Sequence, residues 1–286
     1  KSSLNIISVA SVFVAGTFRM MPSFNRILTS LQNLRFYKEP LKLVYDEFQK
    51  LNTDYLNDGL SDFSFESDVT LENVSFGYDD KKVILNNINL SISKGKTIGI
   101  IGESGAGKST FVSLLTGLIK PTKGEILIGN KPLNENVKNW QNLVGYVPQS
   151  IFLLDDTILN NITLEYDQEK IDFERVNKCI NDSQLNEFVN SLPDKLNTVV
   201  GEKGSLISGG QLQRIGIARA LYSNPSILIL DEASSALDSK TEGKLMDLIY
   251  NDLKGLTKVI ISHNKSNLDK CDQVYEIKKG SLKNFN

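Results

Sequence analysis

The chain has 286 residues and carries 32 Lys and Arg against 34 Asp and Glu, a formal net charge of −2. That near balance excludes a generally basic nucleic-acid binder, and a content of 40% hydrophobic and 23% charged residues excludes a disordered chain or a multi-span membrane protein. Two cysteines, Cys179 and Cys271, are too few for a disulfide framework; they are expected to pack as small apolar groups in a reducing compartment. The single histidine, His263, excludes a multi-histidine metal site.

Residues 2–18 hold no charged side chain and are dominated by Ile6, Ile7, Val9, Val12, Phe13, Val14 and Phe18. The run falls just short of the roughly 20 residues a helix needs to span a bilayer. Three readings are open: the last part of a transmembrane helix whose start lies before Lys1, a signal peptide, or a buried helix of a soluble protein. Arg19 and Arg26, just past the run, favour the first, because basic residues gather at the cytoplasmic face of a membrane. Over residues 23–51 apolar side chains recur at helical spacing: Ile27, Leu28, Leu31 and Leu34, then Leu41, Val44, Tyr45 and Phe48. Pro40 predicts a kink or break near Glu39. Residues 52–68 are polar, contain Asn57-Asp58-Gly59, and read as a linker.

From Val69 onward short β-rich runs alternate with helical stretches, the pattern of an α/β domain with a largely parallel sheet. Strands are expected at 97–101, 125–128, 143–147, 227–230, 259–261 and 274–277. Residues 156–200 read as a helical insertion.

Gly102-Glu103-Ser104-Gly105-Ala106-Gly107-Lys108-Ser109-Thr110 satisfies G-x-x-x-x-G-K-[ST], with a strand before it and an amphipathic helix after it. Glycines let the backbone curl so that its N–H groups face phosphate oxygens, and the helix N-terminus adds partial positive charge. Lys108 supplies a full charge to the β- and γ-phosphates, and the Ser109 hydroxyl is placed to ligate Mg²⁺. Ile227-Leu228-Ile229-Leu230-Asp231-Glu232 is a buried strand that delivers two acids to its C-terminal tip, where α/β sheets bind ligands. Asp231 would hold Mg²⁺ through water, and Glu232 would be the base that polarises the attacking water.

Three further segments complete a pattern: Ile207-Ser208-Gly209-Gly210-Gln211 before that strand, Ser234-Ser235-Ala236-Leu237-Asp238 after it, and Gln149 after the strand at 143–147. Together with the phosphate loop they resemble the nucleotide-binding domain of an ABC transporter, over about residues 69–284 and with every motif in order. The resemblance implies a P-loop NTPase fold with a mostly parallel core sheet, an antiparallel β part and a helical subdomain at about 150–222, preceded by an N-terminal helix. It implies that Tyr78 stacks on adenine, that Gln149 contacts Mg²⁺ and links the nucleotide to a membrane domain, and that Ser208, Gly209, Gly210 and Gln211 bind the ATP held by the opposite subunit. Asp238 matches the dimer-interface aspartate, and His263 matches the histidine that contacts the γ-phosphate. Two positions depart from the pattern: Ile207 replaces the usual leucine, and Asn264 stands where exporters often carry arginine.

Val200-Gly201-Glu202-Lys203-Gly204 resembles the exporter loop that contacts coupling helices. With residues 1–51 as the end of a last transmembrane helix and its cytoplasmic extension, and 52–68 as linker, the layout resembles a half-transporter. Its expected partners are the membrane, a transmembrane domain of the same polypeptide, and a second copy of the chain in an ATP-sandwich dimer, with no nucleic acid. The ATPase domain, 69–286, is expected on the cytoplasmic side of the cell membrane with ATP and Mg²⁺ as cofactors. Residues 19–27, Arg-Met-Met-Pro-Ser-Phe-Asn-Arg-Ile, resemble bacterial flippases of lipid-linked oligosaccharides most. The rival class is a soluble ABC-type ATPase of DNA repair or translation. Repair ATPases insert a long coiled coil and translation factors carry two cassettes, and this sequence shows neither.

Overall fold

The computed structural model describes residues 2–50, 65, 68–79, 82–201, 204–234, 237 and 239–285. The chain divides into two units, residues 1–57 and 58–286. The first contains one helix, α1 (Ser2–Lys50), which runs on through both Pro22 and Pro40. The expected break near Glu39 is therefore absent. A proline removes one N–H donor and crowds the preceding turn, yet the residues on either side of each stay helical. Thr17 and Thr29 donate their hydroxyls to the carbonyls of Phe13 and Asn25, each at 2.9 Å, so neither hydroxyl is left without an acceptor. Apolar residues lie on all sides of α1, and its side chains from residue 9 to 49 are exposed. Among the described residues, no helix is long and apolar enough to cross a membrane.

In the second unit the strands are, in chain order, β1 (Val69–Asp79), β2 (Lys82–Ile92), β3 (Thr97–Ile101), β4 (Lys123–Ile128) and β5 (Lys131–Pro132). Then come β6 (Val144–Val147), β7 (Ile227–Asp231), β8 (Thr257–Ile261), β9 (Gln273–Lys278) and β10 (Ser281–Asn284). They form an antiparallel sheet of order β2-β1-β4-β5 and a six-stranded sheet of order β10-β9-β3-β8-β7-β6. In the second sheet only β10 runs against its neighbour. The helices are α2 (Lys108–Leu115), α3 (Val137–Leu143), α4 (Ile158–Thr163), α5 (Phe173–Asp182), α6 (Asn186–Ser191), α7 (Gly209–Tyr222) and α8 (Ser239–Asp247).

Every residue of β3, β7 and β8 is buried, because both faces of the sheet are covered. On β7, Ile227 and Ile229 join one core with α2 and the antiparallel sheet, while Leu228 and Leu230 join a second core with α4, α5 and α7. That is why residues 227–230 and 259–261 read as unbroken apolar runs rather than alternating ones. Thr157 caps α4 and Asp172 caps α5, each accepting from a first-turn N–H. Cys179 packs in the second core and Cys271 lies against it; burial pushes both thiols up to about 11, so both stay neutral.

Candidate functional site

Strand β3 is held between β9 and β8, and at Ile101 the chain leaves the sheet, turns through residues 102–107 and enters α2 at Lys108. Gly102 backs onto β9: a Cβ there would lie 2.6 Å from the Ile277 carbonyl oxygen, so no side chain fits without moving the strand. Gly107, the residue before α2, has φ 109°, a conformation open to glycine. No side chain caps α2, so its first-turn N–H groups are left for an anion. The buried Lys108 donates from Nζ to the carbonyls of Gly102 at 2.8 Å and Glu103 at 3.3 Å, and lies 3.2 Å from Glu232 Oε1.

Glu232 follows β7 with φ 49°, a left-handed conformation that is uncommon for non-glycine residues. Its N–H extends the sheet by donating to the Ile261 carbonyl at 2.9 Å. The turn aims its carboxylate at three groups far apart in sequence. Besides Lys108, Gln149 Nε2 donates to Oε2 at 2.8 Å, and His263 Nδ1 lies 3.8 Å from the same oxygen. Asp231, the last residue of β7, is buried and accepts from Tyr146 Oη at 3.3 Å. Burial raises the Asp231 carboxyl above its ordinary range, and the Tyr146 hydrogen bond pulls it back. The Tyr146 phenol is pushed up to about 12, first by burial and then by Asp231.

One cleft of about 450 Å³ gathers Ser104, Gly105, Gly107, Lys108, Ser109 and Thr110 of the phosphate loop with Gln149, Asp231, Glu232 and His263. Its size is that of a small-molecule site. Ala106 belongs to the same loop but serves its shape: its N–H donates to the Glu103 carbonyl at 3.2 Å, and its methyl packs on the core. Tyr78 is exposed near the end of β1, its ring edge-on to Phe76 at 5.0 Å, and is not among the residues lining the cleft. Ile84 of β2 completes the wall instead. The sequence reading missed both Ile84 and Tyr146. Ile84 comes from a strand of the antiparallel sheet and Tyr146 through the pairing of β6 with β7, and the sequence signal for Tyr146 is its place on the strand leading to Gln149.

Ser208, Gly209, Gly210 and Gln211 do not join this cleft. They open α7 in a separate one of about 300 Å³, with Arg214 and Lys244 in its wall. Ser208 and Gln211 form a reciprocal cap: Gln211 N donates to Ser208 Oγ at 3.4 Å and Ser208 N donates to Gln211 Oε1 at 2.8 Å. A Cβ on Gly210 would lie 2.6 Å from Thr241 Cγ2. Asp238 lies outside the described residues.

A parallel sheet that delivers a glycine loop with its lysine and a paired aspartate and glutamate to one cleft defines a P-loop nucleotide-binding ATPase. A family model described as ABC transporter matches residues 85–235, just over half of the chain, and the chain belongs to that family. It is 35% identical over 277 residues to an ATP-binding/permease protein assigned to export in Rickettsia typhi, covering 96% of this chain and 46% of that protein. It is 42% identical over 217 residues to the alpha-hemolysin translocation ATP-binding protein of Escherichia coli, covering 75% of this chain and 30% of that one. Among solved structures, a bacterial Atm1-family ABC exporter with ATP bound matches with a TM-score of 0.68 and 34% identity, covering 76% of this chain and 38% of that one. The chain thus spans less than half the length of these relatives.

Proposed function

We propose that the chain binds Mg-ATP in the 450 Å³ cleft and hydrolyses it, and that the hydrolysis powers export through a membrane domain. The observation that carries this reading is the convergence of Lys108, Gln149 and His263 on the Glu232 carboxylate. Lys108 and the loop N–H groups would grip the phosphates, Glu232 would take the proton of the attacking water, and His263 would hold that carboxylate and the γ-phosphate in line. Ser109, Gln149 and Asp231 are oxygen donors on one cleft wall, the donor chemistry Mg²⁺ takes, and a cation would relieve the burial of Asp231. Bound there, Mg²⁺ would neutralise phosphate charge. Tyr78 would stack on the adenine from its exposed position, and Asp238 would face a second copy.

We infer also that the chain works as a pair. The segment Ser208 to Gln211 lies in its own cleft, and a second copy would bring that segment to the ATP on Lys108. The exposed apolar side chains of α1 support a membrane-coupled exporter, with residues 1–51 continuing a membrane domain, over a soluble repair or translation ATPase. Residues 19–27 support a lipid-linked oligosaccharide as cargo; stimulation of phosphate release by such a lipid in reconstituted membranes tests that point.

Titration calorimetry with Mg-ATP and phosphate release test the core reading. Glu232→Gln keeps size and hydrogen bonding but takes up no proton. It should bind ATP within about threefold of wild type and lose about 100-fold or more in turnover. Turnover within about twofold of wild type would place the base elsewhere.

A further inference from the structure

A small polar cavity of about 110 Å³ abuts Glu232 and His263 and also contains Ser234, Glu242, Ser262 and Asn267. Ser234 lies on the segment that leaves Glu232, and Ser262 immediately precedes His263. The Asn267 side chain, buried at 6% exposure, joins them. Its Nδ2 donates to Glu242 Oε1 at 2.7 Å and to Ser234 Oγ at 2.9 Å, with Ser262 Oγ at 3.5 Å. Ser234 Oγ in turn donates to Glu242 Oε1 at 2.8 Å. The Asn267 backbone is fixed as well: its carbonyl accepts from Tyr250 Oη at 2.7 Å, and its N–H donates to the Asn264 carbonyl at 3.3 Å. Ser262 Oγ accepts the Asn264 N–H at 3.0 Å, which closes the turn around His263.

One carboxylate oxygen of Glu242 on α8 therefore takes two hydrogen bonds, and the groups that make them, Ser234 and Asn267, are both buried. Bonds to a charged acceptor are the strong ones, and removing it strands buried donors. The network spans the two segments whose tips are Glu232 and His263. Those tips stand 3.8 Å apart, just beyond hydrogen-bond reach, where a shift of about 1 Å separates a working contact from a lost one.

We propose that Glu242 and Asn267 are positioning residues that hold the Glu232 segment against the His263 segment; the proposal rests on the hydrolysis reading above. The test is phosphate release by the full chain across ATP concentrations, with wild type and Glu232→Gln alongside. An inactive wild type, or an active Glu232→Gln, overturns the hydrolysis reading and this proposal with it. In an active wild type, Asn267→Ala is expected to lower kcat about tenfold with KM for ATP changed less than about twofold. Asn267→Asp sets two carboxylates face to face and should do equal damage. Glu242→Gln/Asn267→Asp exchanges donor and acceptor and should recover about a third or more of wild-type kcat. In a His263→Ala background, Asn267→Ala should add less than about twofold, because its effect runs through His263. A merely structural network would lower thermal stability and multiply with the His263 loss. The proposal is overturned if a folded Asn267→Ala protein keeps kcat within about twofold, if KM rises while kcat holds, or if the losses multiply. Should Asn267→Ala fail to fold, the half-buried Glu242→Gln replaces it, with an expected kcat loss of about threefold and the same overturning outcomes.

Discussion

Lys108 stands between two loop carbonyls and the Glu232 carboxylate, in a cleft that also holds Asp231. On the proposed reading, Lys108→Ala should weaken Mg-ATP binding by about 100-fold or more, because it removes a full positive charge from the phosphate loop's wall of the cleft. It should also destabilise the nucleotide-free protein by about 1–3 kcal/mol, since Glu232 then keeps its burial without its cation. Calorimetry and urea unfolding check the two arms, and unchanged ATP affinity would remove the phosphate-loop assignment. His263→Ala should lower turnover by about 10–100-fold with a smaller effect on ATP affinity, as measured by phosphate release. The residues named from sequence were those whose type and spacing are fixed by local chemistry, such as Lys108 after its glycines and Asp231 at a strand tip. Ile84 and Tyr146 were invisible because only the tertiary fold brings them to the site, Ile84 from a strand of the other sheet and Tyr146 through the pairing of β6 with β7.

Strand β3 is pinned where it starts as well as where it ends. Asp272 accepts from Thr97 N at 2.8 Å and from Lys96 Nζ at 2.9 Å, and returns its own N–H to the Thr97 carbonyl at 2.9 Å. The Thr97 N–H first, and Lys96 next, hold its carboxyl below the ordinary 3.8. A carboxylate with a lowered folded value adds stability above its unfolded value and loses it as pH falls through the folded one. Asp272→Asn should thus cost about 1 kcal/mol at neutral pH, a figure kept small by its partial exposure. The difference from wild type should vanish in acid, as pH drops below 3.8 and on through the lowered value. Urea unfolding across pH reads this, and a constant difference would mean that charge plays no part. The core strands were legible because full burial writes itself as an apolar run. The break allowed at Pro40 does not occur in α1: the penalty of one proline is local, and the turns on either side stay helical. The antiparallel part was expected only through the family resemblance; the left-handed turn of β1 at Asn73, φ 51°, and its register slips against β2 have no periodicity that a sequence could show.

Among the described residues, the phosphate-loop cleft and the Ser208 cleft share no lining residue within one chain. On the paired reading, one chain supplies half of each site, so activity per chain should rise with protein concentration. Mixing Lys108→Ala chains with Ser208→Arg chains should restore part of the activity that each lacks, because a mixed pair has one intact site. Activity per chain that stays flat down to the lowest measurable concentration, with a monomeric mass by light scattering, would count against a shared site.

The backbone at Glu232, at φ 49°, sets up a contest that a library experiment can read. Glycine or asparagine would sit there with about 1 kcal/mol less strain than glutamate. Variants randomised at this one codon and sorted only for folded protein should drift toward Gly and Asn, while the same pool sorted for ATP turnover should return Glu. The two winners would differ because the conformation that aims this carboxylate is one its own side chain resists.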